Sequence, residues 1–276
     1  MSDVSILGAG PIGAAIAHRL AQRARISRLR LIDSASTVAA GKALDIRQSG
    51  PVEHFDTIVD AGSDPLEAAG ASVIVVADAA AADAGTDDRT LALLARLIRA
   101  GTTAPFVFPG PSHAALMERA VRELALPLDR AIGTASSAIA SAVRAMAAVE
   151  MNLSSIDVAV VGRAPAFVVA WSAASAGGLL VTDHVPAHTL LSISQSLPRF
   201  WPPAPYAIAS ATAPIVEALI AGSRRLHAAT VVLGPEDDTR GVAAMLPLEL
   251  GQRRVLSARM PSLSPLERNS FTNSLR

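Results

Sequence analysis

The sequence predicts an α/β protein, a doubly wound parallel sheet followed by a smaller α+β domain. Three observations carry this. Short β-branched runs alternate with helical segments at the spacing of βαβ units over the first half of the chain. A glycine-rich turn joins the first run to the first helix. Beyond about residue 140 the alternation gives way to a mixed pattern.

The apolar run at residues 4–7 ends in Gly8-Ala9-Gly10-Pro11-Ile12-Gly13. Residues 14–23 follow a helical pattern, with Ile16 and Leu20 four apart. A second strand at 29–32 is closed by Asp33, residues 37–49 read as a helix, and 57–59 as a short third strand. The run Ala71-Ser72-Val73-Ile74-Val75-Val76-Ala77 has the near-continuous hydrophobicity of a parallel strand buried on both faces. A helix at 91–100, a strand at 105–108 and a helix at 114–124 complete the first domain, placed at 1–139. The second, 140–276, holds a helix at 140–151, a strand at 157–161, a helix starting at Pro214, and strands at 228–233 and 242–246.

Of the 276 residues, 51% are hydrophobic and 17% charged, enough for a sizeable core and against extended disorder. Lys plus Arg and Asp plus Glu both number 24, so the chain lacks the basic excess expected of a nucleic-acid or acidic-membrane binder. Without cysteine there is no disulfide or thiolate zinc site. The N-terminus reads straight into a strand, and no apolar stretch is long enough to span a bilayer. The expected address is the cytoplasm.

Gly8, Gly10 and Gly13 match G-x-G-x-x-G between a strand and a helix, with Asp33 twenty positions on, the fingerprint of a Rossmann dinucleotide site. Gly8 permits the turn, Gly10 lets backbone approach a pyrophosphate, and Gly13 lets the helix pack on the strand. Pro11 and Ile12 open the helix, whose N-terminus favours anions. Asp33 accepts from the adenosine ribose and repels a 2′-phosphate, so NAD is expected over NADP. One alternative keeps the glycines purely for packing, in a fold that no longer holds its cofactor.

The stretch Gly41-Lys42-Ala43-Leu44-Asp45-Ile46-Arg47-Gln48-Ser49-Gly50-Pro51 resembles the G-K-A-x-D-x-x-x-x-x-P helix of malate dehydrogenases and the related lactate dehydrogenases. The likeness continues at 71–76, at Gly133-Thr134-Ala135, at 152–158 and at 263–268, and so covers essentially the whole chain. It implies an NAD-dependent fold that forms a homodimer or larger oligomer through the 37–49 helix. That helix carries Val38, Ala39, Ala40, Ala43, Leu44 and Ile46 on more than one face.

The resemblance also implies a catalytic His, an Asp that orients it, an Arg that clamps the substrate carboxylate, a second Arg on a mobile loop, and an Asn. The matching positions hold Ala164, Ile139, Ala142, Ala82 and Gly110. Losing one acid–base group costs on the order of 10²–10⁴ in rate. With all of them replaced, the expected protein is a catalytically silent NAD(H) binder. Two other readings stay open. One is an active oxidoreductase that uses relocated groups, with His113, Arg163 and Arg89 as candidates; the other is a structural partner of an active paralogue. His113 is expected at the exposed start of a helix. Ser210 and Thr212 are expected as ordinary helix-start residues. His184 and His188 stand four apart beside Asp183, but Pro186 breaks the helix a metal site would need.

Overall fold

The computed structural model describes residues 2–81, 86–152, 156–234 and 241–276. The first half runs β1 (Asp3–Leu7), α1 (Pro11–Gln22), β2 (Arg28–Ile32), α2 (Ser36–Glu53), β3 (Ile58–Gly62) and β4 (Val73–Val76). It continues with α3 (Thr86–Arg99), β5 (Phe106–Phe108), α4 (His113–Leu124) and β6 (Ala131–Gly133). After α5 (Ala135–Glu150) come the hairpin β7 (Val160–Arg163) and β8 (Ala166–Val169), the short β9 (Ser175–Ala176) and β10 (Leu179–Leu180), and helices α6 (Val181–His184) and α7 (Ala187–Ser196). The chain closes with α8 (Pro205–Ala221), β11 (Leu226–Val232), β12 (Ala243–Gly251), β13 (Arg254–Ala258) and α9 (Pro265–Ser274).

The main sheet is ordered β3-β2-β1-β4-β5-β6 and continues as β11-β12-β7-β8, with β13 on β12. The first six strands are parallel, as the β-branched runs predict; the rest pair antiparallel. The two parts join where Thr230 pairs Gly133. The expected boundary at 139/140 falls inside α5. Strand order reverses between β1 and β4, so the crevice beyond their carboxyl ends is the topological switch point where ligands of such sheets sit.

Val4, Ile6, Val73 and Val75 point from the sheet into a core that α1 completes with Ile16, Ala17 and Leu20. The other face takes Ile74, Phe106, Phe108, Leu94 and Met117. Helix α1 lies against α8, and the bidentate pair of Arg23 with Glu217 ties their ends. In α2, Ala39, Ala43, Ile46 and Gly50 recur at helical spacing on the buried face, while Val38 and Leu44 stay exposed.

The main departure from the sequence reading is α8. It begins at Pro205, not Pro214, which lies inside the helix. A proline removes one helical donor and is usually a start or a break. Here burial of Ile208, Thr212, Ile215, Val216 and Leu219 between α1 and α5 holds the helix across it. Ser210 and Thr212 are accordingly mid-helix, and Thr212 is fully buried. Among the described residues, no single helix is long and apolar enough to cross a membrane.

Two glycines behave oppositely. A Cβ on Gly13 would lie 2.0 Å from the Gly8 carbonyl oxygen, whereas one on Gly41 in α2 meets nothing within 4 Å. Gly13→Ala is therefore expected to destabilise by about 2–4 kcal/mol. Gly41→Ala should stabilise by about 0.5–1 kcal/mol through helix propensity. Denaturant unfolding of both variants checks the pair.

Candidate functional site

The glycine turn sits at the switch point, and each N–H along it has an acceptor within the chain. Gly8 donates to the Ile32 carbonyl (2.8 Å) and Ala9 to Asp33 Oδ2 (2.7 Å). Gly10 donates to the backbone carbonyl of Asp78 (2.8 Å). Pro11 has no N–H to offer. Ile12 and Gly13 donate to the two oxygens of the Asp78 carboxylate, at 3.2 and 2.9 Å. Ala14 starts the helical ladder on Gly10 (2.9 Å). The Lys42 ammonium reaches from α2 to the Ala9 carbonyl.

What approaches Gly10 is the chain's own Asp78, whose Cγ would lie 2.4 Å from an added Cβ; at Gly8 (φ +107°) the Asp78 carbonyl oxygen would lie at 2.3 Å. Asp33 is also turned inward. Its carboxylate accepts from Ala9, from Ala35 (2.9 Å) and from Ala80 (2.8 Å) and is 5% exposed. Burial alone would raise its pKa; the backbone donors outweigh burial and hold it below the usual carboxylate range.

Beside this turn opens a cavity of about 270 Å³, bordered by Gly8, Ile32, Asp33, Ala77, Ala79 and Arg89. It lies at the carboxyl ends of β1, β2 and β4, where the adenosine half of a dinucleotide binds in folds of this topology. The architecture fits such a ligand: a cradle too tight for any Cβ, a helix N-terminus, an acid after β2 and space beside it. The seat of the Asp78 carboxylate and the inward turn of Asp33 are at odds with it.

The chemical end is different. Phe108, Gly110, His113, Thr134, Ala164 and Trp201 are among the residues around a cavity of only about 30 Å³. That is room for little more than ordered water. Ala164 lines it, with a methyl side chain that cannot carry a proton. Ile139 is 1% exposed and packs with Val143 and Ala147, and Ala142 is half-buried in the same helix. Gly110 lies under the His113 ring. Ala82 lies outside the described residues. Nearby hydroxyls satisfy one another: Thr134 with Thr212 (2.7 Å), Ser136 with Thr230 (2.7 Å), and Ser137 with the Ala228 carbonyl (2.5 Å).

The candidate substitutes are also accounted for. His113 is not at an exposed helix start. Its ring folds back edge-on to Phe108 and its Nδ1 accepts from the Gly110 N–H at 3.1 Å, which leaves the ring proton on Nε2. Burial, opposed by the charges of Asp87 and Asp78, lowers its pKa to about 4. At neutral pH it is an uncharged and weak base. Arg163 is held bidentately by Glu118 (2.5 and 3.4 Å), which also accepts from the Ala243 N–H (2.8 Å). The pair ties β7 to α4 and β12. Arg89 borders the larger cavity, not the smaller. His184 ends α6 while His188 lies in α7, on separate helices.

Sequence reasoning missed Asp78 and Glu118. Asp78 carries a signal: it is the lone charged residue in Ala77-Asp78-Ala79-Ala80-Ala81, immediately after the central strand β4. Glu118 looks like any charged residue on an amphipathic helix.

Comparison with known proteins agrees with this geometry. Residues 2–99 match the family described as lactate/malate dehydrogenase, NAD binding domain. A malate dehydrogenase of Thermomicrobium roseum is 29% identical over 270 residues, covering 90% of this chain and 86% of the relative. A malate dehydrogenase of Chlorobium phaeobacteroides is 24% identical over 292 residues, covering 98% and 94%. The crystal structure of the Cryptosporidium parvum lactate dehydrogenase complexed with lactic acid and nicotinamide adenine dinucleotide superposes with a TM-score of 0.90 at 19% identity. That match covers 99% of this chain and 94% of the other. The apo malate dehydrogenase of Picrophilus torridus gives a TM-score of 0.85 at 21% identity, covering 99% and 94%.

His113 gives this site a pH signature. The unfolded chain takes up its proton near pH 6.5, while the folded chain resists down to about pH 4. Its contribution to stability is thus complete above pH 6.5 and is lost as the pH falls from about 6.5 to about 4, a change of roughly 3 kcal/mol. Urea unfolding across that range should show the slope, and His113→Leu should flatten it. An unchanged slope in the variant would contradict the burial of a neutral ring.

Proposed function

We propose that the chain is an NAD(H)-binding member of the lactate/malate dehydrogenase superfamily that no longer transfers hydride. The observation that carries the second half is the cavity of about 30 Å³ at Ala164, far below the roughly 300–1,000 Å³ of ordinary ligand sites. A keto acid needs a cation for its carboxylate and a proton donor for its carbonyl. Arg163, next in sequence to the lining residues Gly162 and Ala164, is neutralised by Glu118, and His113 is uncharged and hydrogen-bonded to the backbone. These features count against relocated catalysis by either residue.

The cofactor reading rests on the matched NAD-binding domain, the glycine cradle of Gly8, Gly10, Pro11, Ile12 and Gly13, and Asp33 after β2. Nicotinamide would supply hydride chemistry; in this chain the cradle binds and orients without a partner group for the proton. Asp33 sets the preference, because a 2′-phosphate would bring like charge to a carboxylate already held ionised.

Self-association is part of the proposal. Helix α2 buries one face on the sheet and leaves Val38 and Leu44 exposed at 40% and 47%. A groove of about 560 Å³ beside it is lined by Ala14, Ile46, Ser49 and the 80% exposed Tyr206. A second copy covering this surface would remove apolar area from water.

Three outcomes follow. The purified protein should not consume NADH with oxaloacetate or pyruvate above the buffer blank, and Ala164→His alone should not restore turnover, having neither space nor an orienting partner. NADH should bind about tenfold or more tightly than NADPH in a fluorescence titration, given repulsion of order 1.4 kcal/mol; equal affinity would remove Asp33 as the selector. Light scattering at micromolar concentration should give twice the 28.3 kDa chain mass or a larger multiple. Steady, enzyme-dependent NADH oxidation, or a monomer, would overturn the corresponding part.

A further inference from the structure

We propose that Asp78 is a built-in competitor for the cofactor diphosphate: the ligand-free chain closes its own anion site, and a dinucleotide enters only as the 77–81 strap lifts. The inference rests on the NAD(H) reading and deepens it.

An anion at a helix N-terminus is favoured by the free N–H groups there and by the aligned peptide dipoles. In this chain the two available N–H groups of α1, on Ile12 and Gly13, already point at the two oxygens of one carboxylate. Its placement is a chemical imitation of a phosphate: one negative charge, two acceptors, seated over a glycine. The fit over Gly10 is close enough that a single added carbon would collide with Cγ and Oδ2, both at 2.4 Å. A phosphate and the Asp78 side chain therefore exclude each other by volume as well as by charge.

The strap is held by bonds that differ in what lifting would do to them. Ala77 N–H to the Leu7 carbonyl (2.7 Å) belongs to the sheet edge and stays. The Gly10 N–H bond to the Asp78 carbonyl and the Ala80 N–H bond to Asp33 Oδ2 lie on the moving side. Breaking the latter leaves Asp33 tied to Ala9 through Oδ2 and to Ala35 through Oδ1, beside the neighbouring cavity of about 270 Å³ that Asp33, Ala77 and Ala79 border. Displacing Asp78 thus exposes the anion site, while Asp33 keeps its bonds to Ala9 and Ala35. Charge-assisted bonds lost by Asp78 are regained by the diphosphate, so the strap taxes affinity without abolishing it. The nucleoside cavity itself stays open with the strap down, so a ligand without phosphate should be indifferent to Asp78.

The test compares the full chain with Asp78→Ala, titrating each with NADH, ADP and adenosine and following amide exchange at Ile12 and Gly13 without ligand. The expected result is binding of NADH and ADP about 10- to 100-fold tighter in the variant, adenosine changed by less than about twofold, and faster exchange at both amides once their acceptor is gone. The isosteric Asp78→Asn, which removes the charge and keeps the volume, repeats the comparison should the alanine variant misfold, with a gain of about threefold or more expected. Equal or weaker NADH binding in folded variants overturns the competitor and leaves the cofactor reading standing. An equal gain for adenosine and ADP also overturns it, since the phosphate would then not be what Asp78 excludes. Failure of every protein to bind NADH or ADP removes the cofactor reading, and the competitor with it.

Discussion

The amides at the start of α1 need an anion. A helix leaves its first N–H groups without intrahelical partners. This one begins at Gly10, which has no side chain to cap them, and at Pro11, which has no N–H. Gly13 packs against Gly8 so closely that the turn cannot relax away from the strand. The donors of Ile12 and Gly13 are thus fixed in place and aimed at the switch point between β1 and β4. Asp78 meets that requirement from the neighbouring strand's end, Asp33 ties down Ala9 and Ala80 around it, and Lys42 secures the turn from α2. Turn, strap and both acids form one unit because each answers a donor that the tight turn leaves open.

At the other end of the crevice the constraint is reversed. An enclosed pocket built for a charged substrate carries charges that cost stability unless they are paired. Around Ala164 the side chains are apolar or paired. Ile139 joins the α5 core, Ala164 presents only a methyl group, and Arg163 and Glu118 neutralise each other while Glu118 also caps the Ala243 amide. Nearby hydroxyls are satisfied across α5, α8 and β11, Thr134 by Thr212, Ser136 by Thr230 and Ser137 by the Ala228 carbonyl. Together these contacts form a packed polar seam. His113 fits this account, kept neutral by burial and held by the backbone at Gly110.

Much of the first half was legible because its signals are local. β-Branched runs become buried parallel strands whatever follows, and G-x-G-x-x-G fixes a turn by sterics alone. Ala164 follows β7 and Ile139 lies on α5, as the strand and helix patterns predict. The length of α8 was not legible: Pro214 reads as a helix start, and only packing between α1 and α5 shows otherwise. The hairpin strand β8 and the edge strand β13 were missed because neither carries a strong alternating pattern of its own. The orientation of His113, inward over Gly110, depends on a contact with Phe108 that no local rule encodes. The engagement of Asp78 with α1 spans 65 and 66 positions in sequence, and periodicity cannot see that far.

The central claim is that one anion site serves in turn the chain's own carboxylate and a dinucleotide. A crystal structure of the protein grown with saturating NADH tests it most directly. The account predicts diphosphate oxygens on the amides of Ile12 and Gly13, with the Asp78 side chain withdrawn and Ala80 released from Asp33. A dinucleotide bound with Asp78 still seated on those amides would contradict it.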